Sequence, residues 1–318
     1  MSKTKLIKKL LQESEFHLKC GDVYIIEKTG LYSLYNADGI KILPDDYKQI
    51  YRPFKDFPNH FKLVDIDDKV WIADGMGKIL TSRGYHAIGI SCHYYDRFTN
   101  ETWNGFIEID DDKDGSGYFD FTTEKEVIVP IPGQRVRDIN EIKGIYSYGI
   151  PVFQNIDGKN RCKLVNSKGD DLIPYERGFE DFGEVFSPDE EYLILALKGE
   201  KWGYVNIDGV EKIPCKYDVA SDFVDKMAIV GYVGQSLYEL RLGVIGHHDK
   251  VLVPMCYQEI LGRPFIIDGR VFVYASRIGD DEYHIYRDDG VMFELDELPE
   301  NPHIIHRHYW HYKNWSRL

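Results

Sequence analysis

Apolar residues are distributed along most of the chain in short, strand-length runs such as FKLVDI, YLILAL and MAIVGY. Aromatic and β-branched residues dominate these runs, and such residues favour strands over helices. A helical spacing of apolar residues occurs at the N-terminus, where Leu6, Ile7, Leu10 and Leu11 of LIKKLLQESEFHLK share one face. The pattern predicts an all-β fold preceded by a short helix within residues 1–20.

One segment recurs along the chain at a fixed interval. In KWGYVNIDGVEKIPCKYD, Trp202 opens a predicted strand, Asp208-Gly209 forms a tight turn, and the return strand carries Pro214. The proline recurs at intervals of 40 residues, at Pro174, Pro214 and Pro254. A period of this length is typical of a solenoid, a propeller or another tandem array.

Copies of this unit extend well beyond its central region. GLYSLYNADGIKILPDDY repeats the whole pattern, whereas degraded copies have Ser82 or Leu295 at the proline position. The anchor positions are 44, 82, 130, 174, 214, 254 and 295. The sequence therefore predicts about seven units of roughly 40 residues within a repeat domain at residues 21–298.

Two arrangements of these units fit the pattern. Each full unit ends in a further strand-like run, which the seventh unit lacks, and DVYIIEK at residues 22–28 could supply it. This exchange would close the units into a propeller-like ring. The alternative is an open β-superhelix, capped by the N-terminal helix and by the tail at residues 299–318.

Residues 202–230 resemble the WG repeat, a bacterial tandem β-repeat. The resemblance rests on Trp202 and Gly203, the turn glycine, the Ile-Pro pair, Tyr217-Asp218 and Phe223. In other units it is partial: Leu242-Gly243 and, in the first unit, Leu31-Tyr32 stand where Trp-Gly is expected. The resemblance implies a repeat scaffold for interactions and carries no catalytic residues.

Charge and cysteine content narrow the function further. The chain has 39 basic and 53 acidic residues, a net charge of -14, which disfavours binding to nucleic acid or anionic membranes and favours a basic partner. Its 5 cysteines form no CxxC pair. No run of about 18 apolar residues predicts a membrane span. We expect a cytoplasmic protein in a reducing compartment.

The segment DDDKDGSG at residues 110–117 resembles the start of a calcium loop. Asp110, Asp112 and Asp114 alternate ahead of Gly115, as carboxylates that share one ion do. The late carboxylate of such a loop is missing, unless Asp120 replaces it. The alternatives are a calcium site and a solvated turn.

Acidic residues also cluster at equivalent connections between strands. The members of this predicted acidic rim are Asp65, Asp67, Asp68, Asp110, Asp112, Asp114, Asp157, Glu200, Asp280, Asp281 and Glu282. Equivalent loops of a repeat emerge on the same side. The rim would attract a basic protein surface, or would serve only to solubilise the turns.

The tail NPHIIHRHYWHYKNWSRL combines imidazoles with aromatic and basic groups. Its candidate transition-metal ligands are His303, His306, His308 and His311, and its candidate partner-binding residues are Tyr309, Trp310 and Trp315. Imidazole suits zinc, nickel and copper, although this spacing fits no structural zinc motif. Stacking on RNA and packing on the last repeat are the alternatives.

The sequence as a whole favours a non-enzymatic scaffold for protein–protein interaction that needs no cofactor. An accessory or neutralising role in bacterial defence is a narrower version. Nucleophile elbows, HExxH helices and phosphate-binding loops do not occur in the sequence. The competing functions are a small-ligand binder or enzyme with its site in a central cavity, and RNA binding through the tail.

Overall fold

The computed structural model describes residues 3–89, 105–111, 115–137, 148–185, 191–223, 226–234, 239–260, 265–267, 270–277, 284–293 and 303–304. These residues form one α-helix and seven small antiparallel sheets. The chain divides into two compact units, Met1–Lys143 and Gly144–Leu318. The predicted β-fold with an N-terminal helix is confirmed.

Unit 1 begins with helix α1, Lys3–Glu13, and contains three sheets. Sheet 1 comprises β1 Phe16–Cys20, β2 Val23–Lys28 and β3 Leu31–Asn36. Sheet 2 comprises β4 Gln49–Ile50, β5 His60–Val64 and β6 Val70–Asp74. Sheet 3 comprises β7 Ala87–Ile88, β8 Phe106–Asp110, β9 Ser116–Asp120 and β10 Lys125–Ile128, and β11 is Gln134–Val136.

Unit 2 contains four sheets. Sheet 4 includes β12 Ile150–Ile156, β13 Lys159–Val165 and β14 Asp171–Ile173. Sheet 5 comprises β15 Asp181–Phe182, β16 Ile194–Lys198, β17 Lys201–Val205 and β18 Glu211–Tyr217. Sheet 6 comprises β19 Val219–Ala220, β20 Met227–Tyr232, β21 Arg241–Gly246 and β22 Val251–Tyr257. Sheet 7 comprises β23 Glu259–Ile260, β24 Phe265–Ile267, β25 Arg270–Ser276, β26 His284–Arg287, β27 Met292–Phe293 and β28 His303–Ile304.

The boundaries of the sheets differ from those of the predicted units. Sheet 5 ends at Tyr217 and sheet 6 begins at Val219, so the run MAIVGY belongs to sheet 6, where it pairs with β21. Strand β2 occupies the same place in sheet 1, between β1 and β3. The expectation that residues 22–28 complete the seventh unit is therefore wrong, because both edges of β2 are already paired.

A side-chain-capped turn follows one long strand in each of several sheets, namely β3, β6, β13 and β17. In sheet 5 the carboxamide oxygen of Asn206 accepts a hydrogen bond from the amide of Val210 at 2.8 Å, and Gly209 has a φ of 72°. The same hydrogen bond, donated by the backbone amide four residues later in the chain, is accepted by the side chains of Asn36, Asp74 and Asn166. The hairpin turn predicted from Asp208-Gly209 is confirmed, but its cap is the Asx residue three positions before the glycine.

The glycine of the Trp-Gly pair faces a bulge in the next strand. Trp202 pairs with Tyr217 and Tyr204 pairs with Ile213, so Gly203 lies opposite residues 214–216. A Cβ atom on Gly203 would lie 2.6 Å from the amide nitrogen of Cys215. The bulge also accommodates Pro214, because the ladder is interrupted there.

The same register corrects the assignment of the first unit. Tyr32 pairs with Tyr47 in sheet 1, just as Trp202 pairs with Tyr217 in sheet 5. The Trp-Gly positions of sheet 1 are therefore Tyr32 and Ser33 rather than Leu31 and Tyr32. In sheet 6, Leu242 pairs with Tyr257, which confirms Leu242-Gly243 as the equivalent pair.

We expect Gly203→Ala to lower the free energy of unfolding of unit 2 by about 2 kcal/mol, because the new methyl group must displace backbone atoms of the bulge. Gly246→Ala is the matched control, since its Cβ would meet only the side chain of Leu252, at 3.3 Å. Urea denaturation followed by tryptophan fluorescence checks this expectation. Equal losses in the two variants would show that the contact with the bulge is unimportant.

Hydrophobic cores lie between successive sheets of each unit. One cluster joins sheets 5 and 6 around Trp202, Tyr204, Tyr217 and Ala228. The repeat tyrosines, including Tyr217, are buried, so these positions contribute to packing. Burial also raises the pKa of the Cys215 thiol to about 11, as expected for an unreactive cysteine.

Helix α1 covers the turn of sheet 1. A Cβ atom on Gly39 would lie 2.8 Å from the backbone nitrogen of Ile7, and Ile7 is buried. In sheet 2, the equivalent Gly77 packs instead against Ile42, in the return segment of sheet 1. Helix α1 therefore packs against the turn of sheet 1 in the way that sheet 1 packs against the turn of sheet 2.

Candidate functional site

Most of the site residues predicted from sequence lie outside the described residues. This holds for Asp112 and Asp114 in the calcium-like loop and, in the tail, for His306, His308, Tyr309, Trp310, His311 and Trp315. The backbone of His303 is described, and it pairs with Ile266 in sheet 7. Among the described residues, no three His, Cys, Asp or Glu side chains come close enough together to hold a metal ion. The metal and RNA hypotheses therefore remain predictions.

Asp110 ends strand β8, opposite Ser116 and Ala87. The next carboxylate, Asp111, lies 3.0 Å from the guanidinium of Arg83 and 3.5 Å from the ammonium of Lys69. Two cations of unit 1 therefore compensate Asp111, at the start of the calcium-like segment.

The described members of the acidic rim lie in or next to one kind of connection, the hairpin between the first two long strands of a sheet. Several of their carboxylates have local partners. The Asp65 carboxylate accepts hydrogen bonds from the amides of Asp67 and Lys69 and from the Trp71 indole, and Asp68 pairs with Lys48. Part of the predicted acidity therefore stabilises turns.

Unit 1 contains a buried lysine that no sequence motif marks. Lys62 in β5 is 1% exposed, and its ammonium lies 3.4 Å from the carbonyl oxygen of Ile88 and 4.7 Å from the centre of the Tyr51 ring. Burial lowers the pKa of this lysine to about 8. Because so little of the side chain is accessible, we assign it to the packing of sheet 2 rather than to a substrate.

A cleft of about 490 Å³ opens between sheets 6 and 7 of unit 2. Its floor is apolar and consists of Met227, the first residue of β20, and Leu252 of β22, which are both buried. Lys226, His247 and Lys250 surround this floor, and Arg270 with Asp288 lines the sheet 7 side.

The turn at His247–Asp249 positions one side of the cleft. Its backbone is left-handed at His248 and Asp249, with φ values of 58° and 62°. The Asp249 carboxylate anchors the turn to sheet 5 by accepting a hydrogen bond from the Tyr217 hydroxyl and by pairing with Lys216. The His247 ring packs edge-on against Phe223, with ring centres 5.1 Å apart. Burial lowers the pKa of His247, and the charges of His248 and Lys226 lower it further.

An ion-pair network forms the sheet 7 side of the cleft. Arg270 donates to the Asp288 carboxylate at 2.7 Å and lies 3.0 Å from that of Asp289. Arg287 also pairs with Asp289 and is the main cause of the low pKa of that carboxyl. Two guanidinium groups thus offset two carboxylates, and the remaining positive charge of the cleft comes from its lysines.

Sequence analysis did not identify this cleft. Its turn has the sequence HHDK, whereas sheets 1, 2, 4 and 5 have an Asx residue three positions before a glycine. The turn beside the cleft therefore departs from the pattern of Asx and glycine that the other turns share. The cleft contains none of the residues that the sequence singled out for binding.

Apolar side chains are exposed where the chain leaves the turns of sheets 5, 6 and 7. This turn-exit patch consists of Val210, Val251, Val291 and Met292, which are 45–54% exposed. The turn of sheet 7 lies against β22, since a Cβ atom on Gly290 would be 3.0 Å from the carbonyl oxygen of Leu252. Val251 and Val291 therefore lie in neighbouring segments.

Comparison with known proteins gives one match in sequence. The profile of the WG containing repeat matches residues 202–231. The chain contains a WG repeat. The WG repeat matched here comprises β17, β18, β19 and nearly all of β20, so it spans sheets 5 and 6. No curated protein matches the sequence.

Solved structures resemble this chain at low similarity. A eukaryotic initiation factor is 10% identical, with a TM-score of 0.34 over 86% of this chain and 72% of the other. The computationally designed Ika8 protein is 13% identical, with a TM-score of 0.34 over 87% and 85%. BamB from Moraxella catarrhalis is 11% identical, with a TM-score of 0.27 over 84% and 81%. Because these TM-scores are low, we describe the architecture from the strand pairing alone.

Within the described ranges, no helix has both the length and the hydropathy that a membrane crossing needs. The four described cysteines, Cys20, Cys162, Cys215 and Cys256, are all free thiols.

Proposed function

We propose that this WG-repeat protein is a non-enzymatic scaffold that binds another protein through the turn-exit patch of unit 2. The observation that supports this role is the patch itself. Val210, Val251, Val291 and Met292 leave about half of each side chain in solvent at related positions of three successive sheets. A partner that covers them would gain the free energy of removing apolar surface from water.

The charge of the chain suits a basic partner. A net charge of -14 and the acidic hairpins at residues 65–68, 157 and 200 would speed the encounter with a positively charged surface. The apolar patch would then hold the complex. We place this interaction in the cytoplasm because the free thiols suit a reducing compartment, and a neutralising role in defence is its narrower form.

Substituting the patch tests the proposal. We expect Val210→Ser, Val251→Ser and Val291→Ser together to reduce recovery of a partner at least tenfold, since about 1.4 kcal/mol of lost contact energy is sufficient. Affinity capture from native lysate with the intact chain, quantified by mass spectrometry, measures this recovery. The matched control is Tyr148→Ser, which removes a side chain that is 47% exposed elsewhere in unit 2.

A partner retained equally by the triple variant and the control would contradict the assignment of the patch. Thermal unfolding of both variants should stay close to that of the unsubstituted chain, because the substituted side chains are exposed. Loss of recovery in a folded triple variant alone supports the scaffold.

A further inference from the structure

The cleft between sheets 6 and 7 has the physical character of a small-molecule site. It combines a concave shape with an apolar floor and a few polar groups, and its volume of about 490 Å³ is within the range of such sites. Met227 and Leu252 supply the floor, whereas the charged groups are at the rim.

The lining is cationic in a chain that is strongly acidic. Lys226, Lys250 and Arg270 face one carboxylate, Asp288, so the lining carries a net charge of +2 with His247 neutral. Lys226 and Lys250 make no ion pair with any of the residues that the structure describes. The cleft therefore offers a concentrated positive potential where the chain as a whole has a net charge of -14.

The geometry selects the type of anion. The guanidinium fork of Arg270, which would suit a planar carboxylate, is already taken by Asp288 and Asp289. The groups left to a ligand are two lysine ammoniums, which act as compact point charges, and the His247 imidazole. Such groups suit a tetrahedral dianion better than a carboxylate.

We propose that this cleft binds the phosphate group of a small phosphorylated molecule. The phosphate, with a charge of about -1.5 to -2, would lie between Lys226 and Lys250 and offset the charge of the lining. This function is independent of protein binding at the neighbouring patch.

Calorimetric titration of the intact chain with phenyl phosphate at low ionic strength tests the proposal. We expect the double variant Lys226→Ala, Lys250→Ala to weaken binding by roughly a hundredfold, about tenfold for each charge-assisted contact. The matched control is Lys168→Ala, Lys212→Ala, which removes the same charge from exposed positions of unit 2 outside the cleft. The control should bind phenyl phosphate as the unsubstituted chain does.

Two further ligands separate the parts of the proposal. Inorganic phosphate should bind about as tightly as phenyl phosphate, because the buried floor leaves the phenyl ring little apolar surface to contact. Benzoate should bind more weakly than phenyl phosphate, because its single charge offsets less of the lining. Benzoate that binds as tightly as phenyl phosphate would overturn the assignment to a phosphate, and inorganic phosphate without measurable binding would overturn recognition of the phosphate group itself.

The location is overturned if both double variants lose affinity to the same extent, since a general change in charge would then explain the loss. The absence of any heat with phenyl phosphate at millimolar concentration would overturn the site as a whole. Circular dichroism confirms that each variant is folded, which is expected because all four lysines are exposed.

Discussion

Gly77→Ala is expected to lower the free energy of unfolding of unit 1 by about 4 kcal/mol, the sum of left-handed strain and a backbone clash. Gly77 has a φ of 88°, and a Cβ atom there would lie 1.9 Å from the carbonyl oxygen of Ile42. The new methyl carbon would clash with a backbone oxygen, so no rotamer change can relieve the contact. The turn of sheet 2 would have to move away from sheet 1.

The matched control for this substitution is Gly133→Ala, also in unit 1. Gly133 has a φ of 76°, but a Cβ atom there would meet nothing within 4 Å. It should lose only the left-handed strain, about 1 kcal/mol. Urea denaturation of both variants measures the loss in the free energy of unfolding of unit 1. If Gly77→Ala costs no more than Gly133→Ala, the proposed contact with Ile42 does not determine stability.

Lys62→Met is expected to stabilise unit 1 by about 3 kcal/mol at pH 7, because burial destabilises the charged lysine in the folded state. Its pKa falls from the ordinary value of 10.5 to about 8 on folding. Methionine fills a similar volume and carries no charge to desolvate.

The lowered pKa of Lys62 determines how the free energy of unfolding changes with pH. Between pH 8 and 10.5 the unfolded chain binds more protons at Lys62 than the folded chain does, so the stability of the unsubstituted protein rises with pH in that window. Below pH 8 the full penalty is present, and above 10.5 it is lost. The advantage of Lys62→Met should therefore shrink by about 3 kcal/mol across the window.

Denaturation curves at several pH values measure this difference. The control, Lys48→Met, replaces a lysine of unit 1 whose side chain is 55% exposed, so it should show no such change. If the difference between Lys62→Met and the unsubstituted chain stays constant from pH 7 to pH 10.5, the lysine is not desolvated in the folded state.

The sequence by itself determined the repeat and most of its strands. Turn glycines, the proline spacing and the strand-length apolar runs depend on local conformational preference, which operates within a few residues. The helical spacing of Leu6, Ile7 and Leu10 predicted α1 for the same reason.

Only the tertiary structure decided which strands share a sheet. The connection after Tyr217 would allow the run MAIVGY either to complete sheet 5 or to join sheet 6. Its pairing with β21 shows that it belongs to sheet 6. Pairing depends on partners distant in sequence, which a local pattern does not specify.

The same limit applies to the buried lysine and to the cleft. Alternation in HFKLV directs Lys62 away from Phe61 and Leu63, and the sequence alone would leave it in water. The packing of sheet 3 against that face buries it. Likewise, Lys226, Lys250 and Arg270 come together only because sheets 6 and 7 pack side by side. Local preference forms the elements, whereas contacts between sheets decide which side chains meet and which of them lose water.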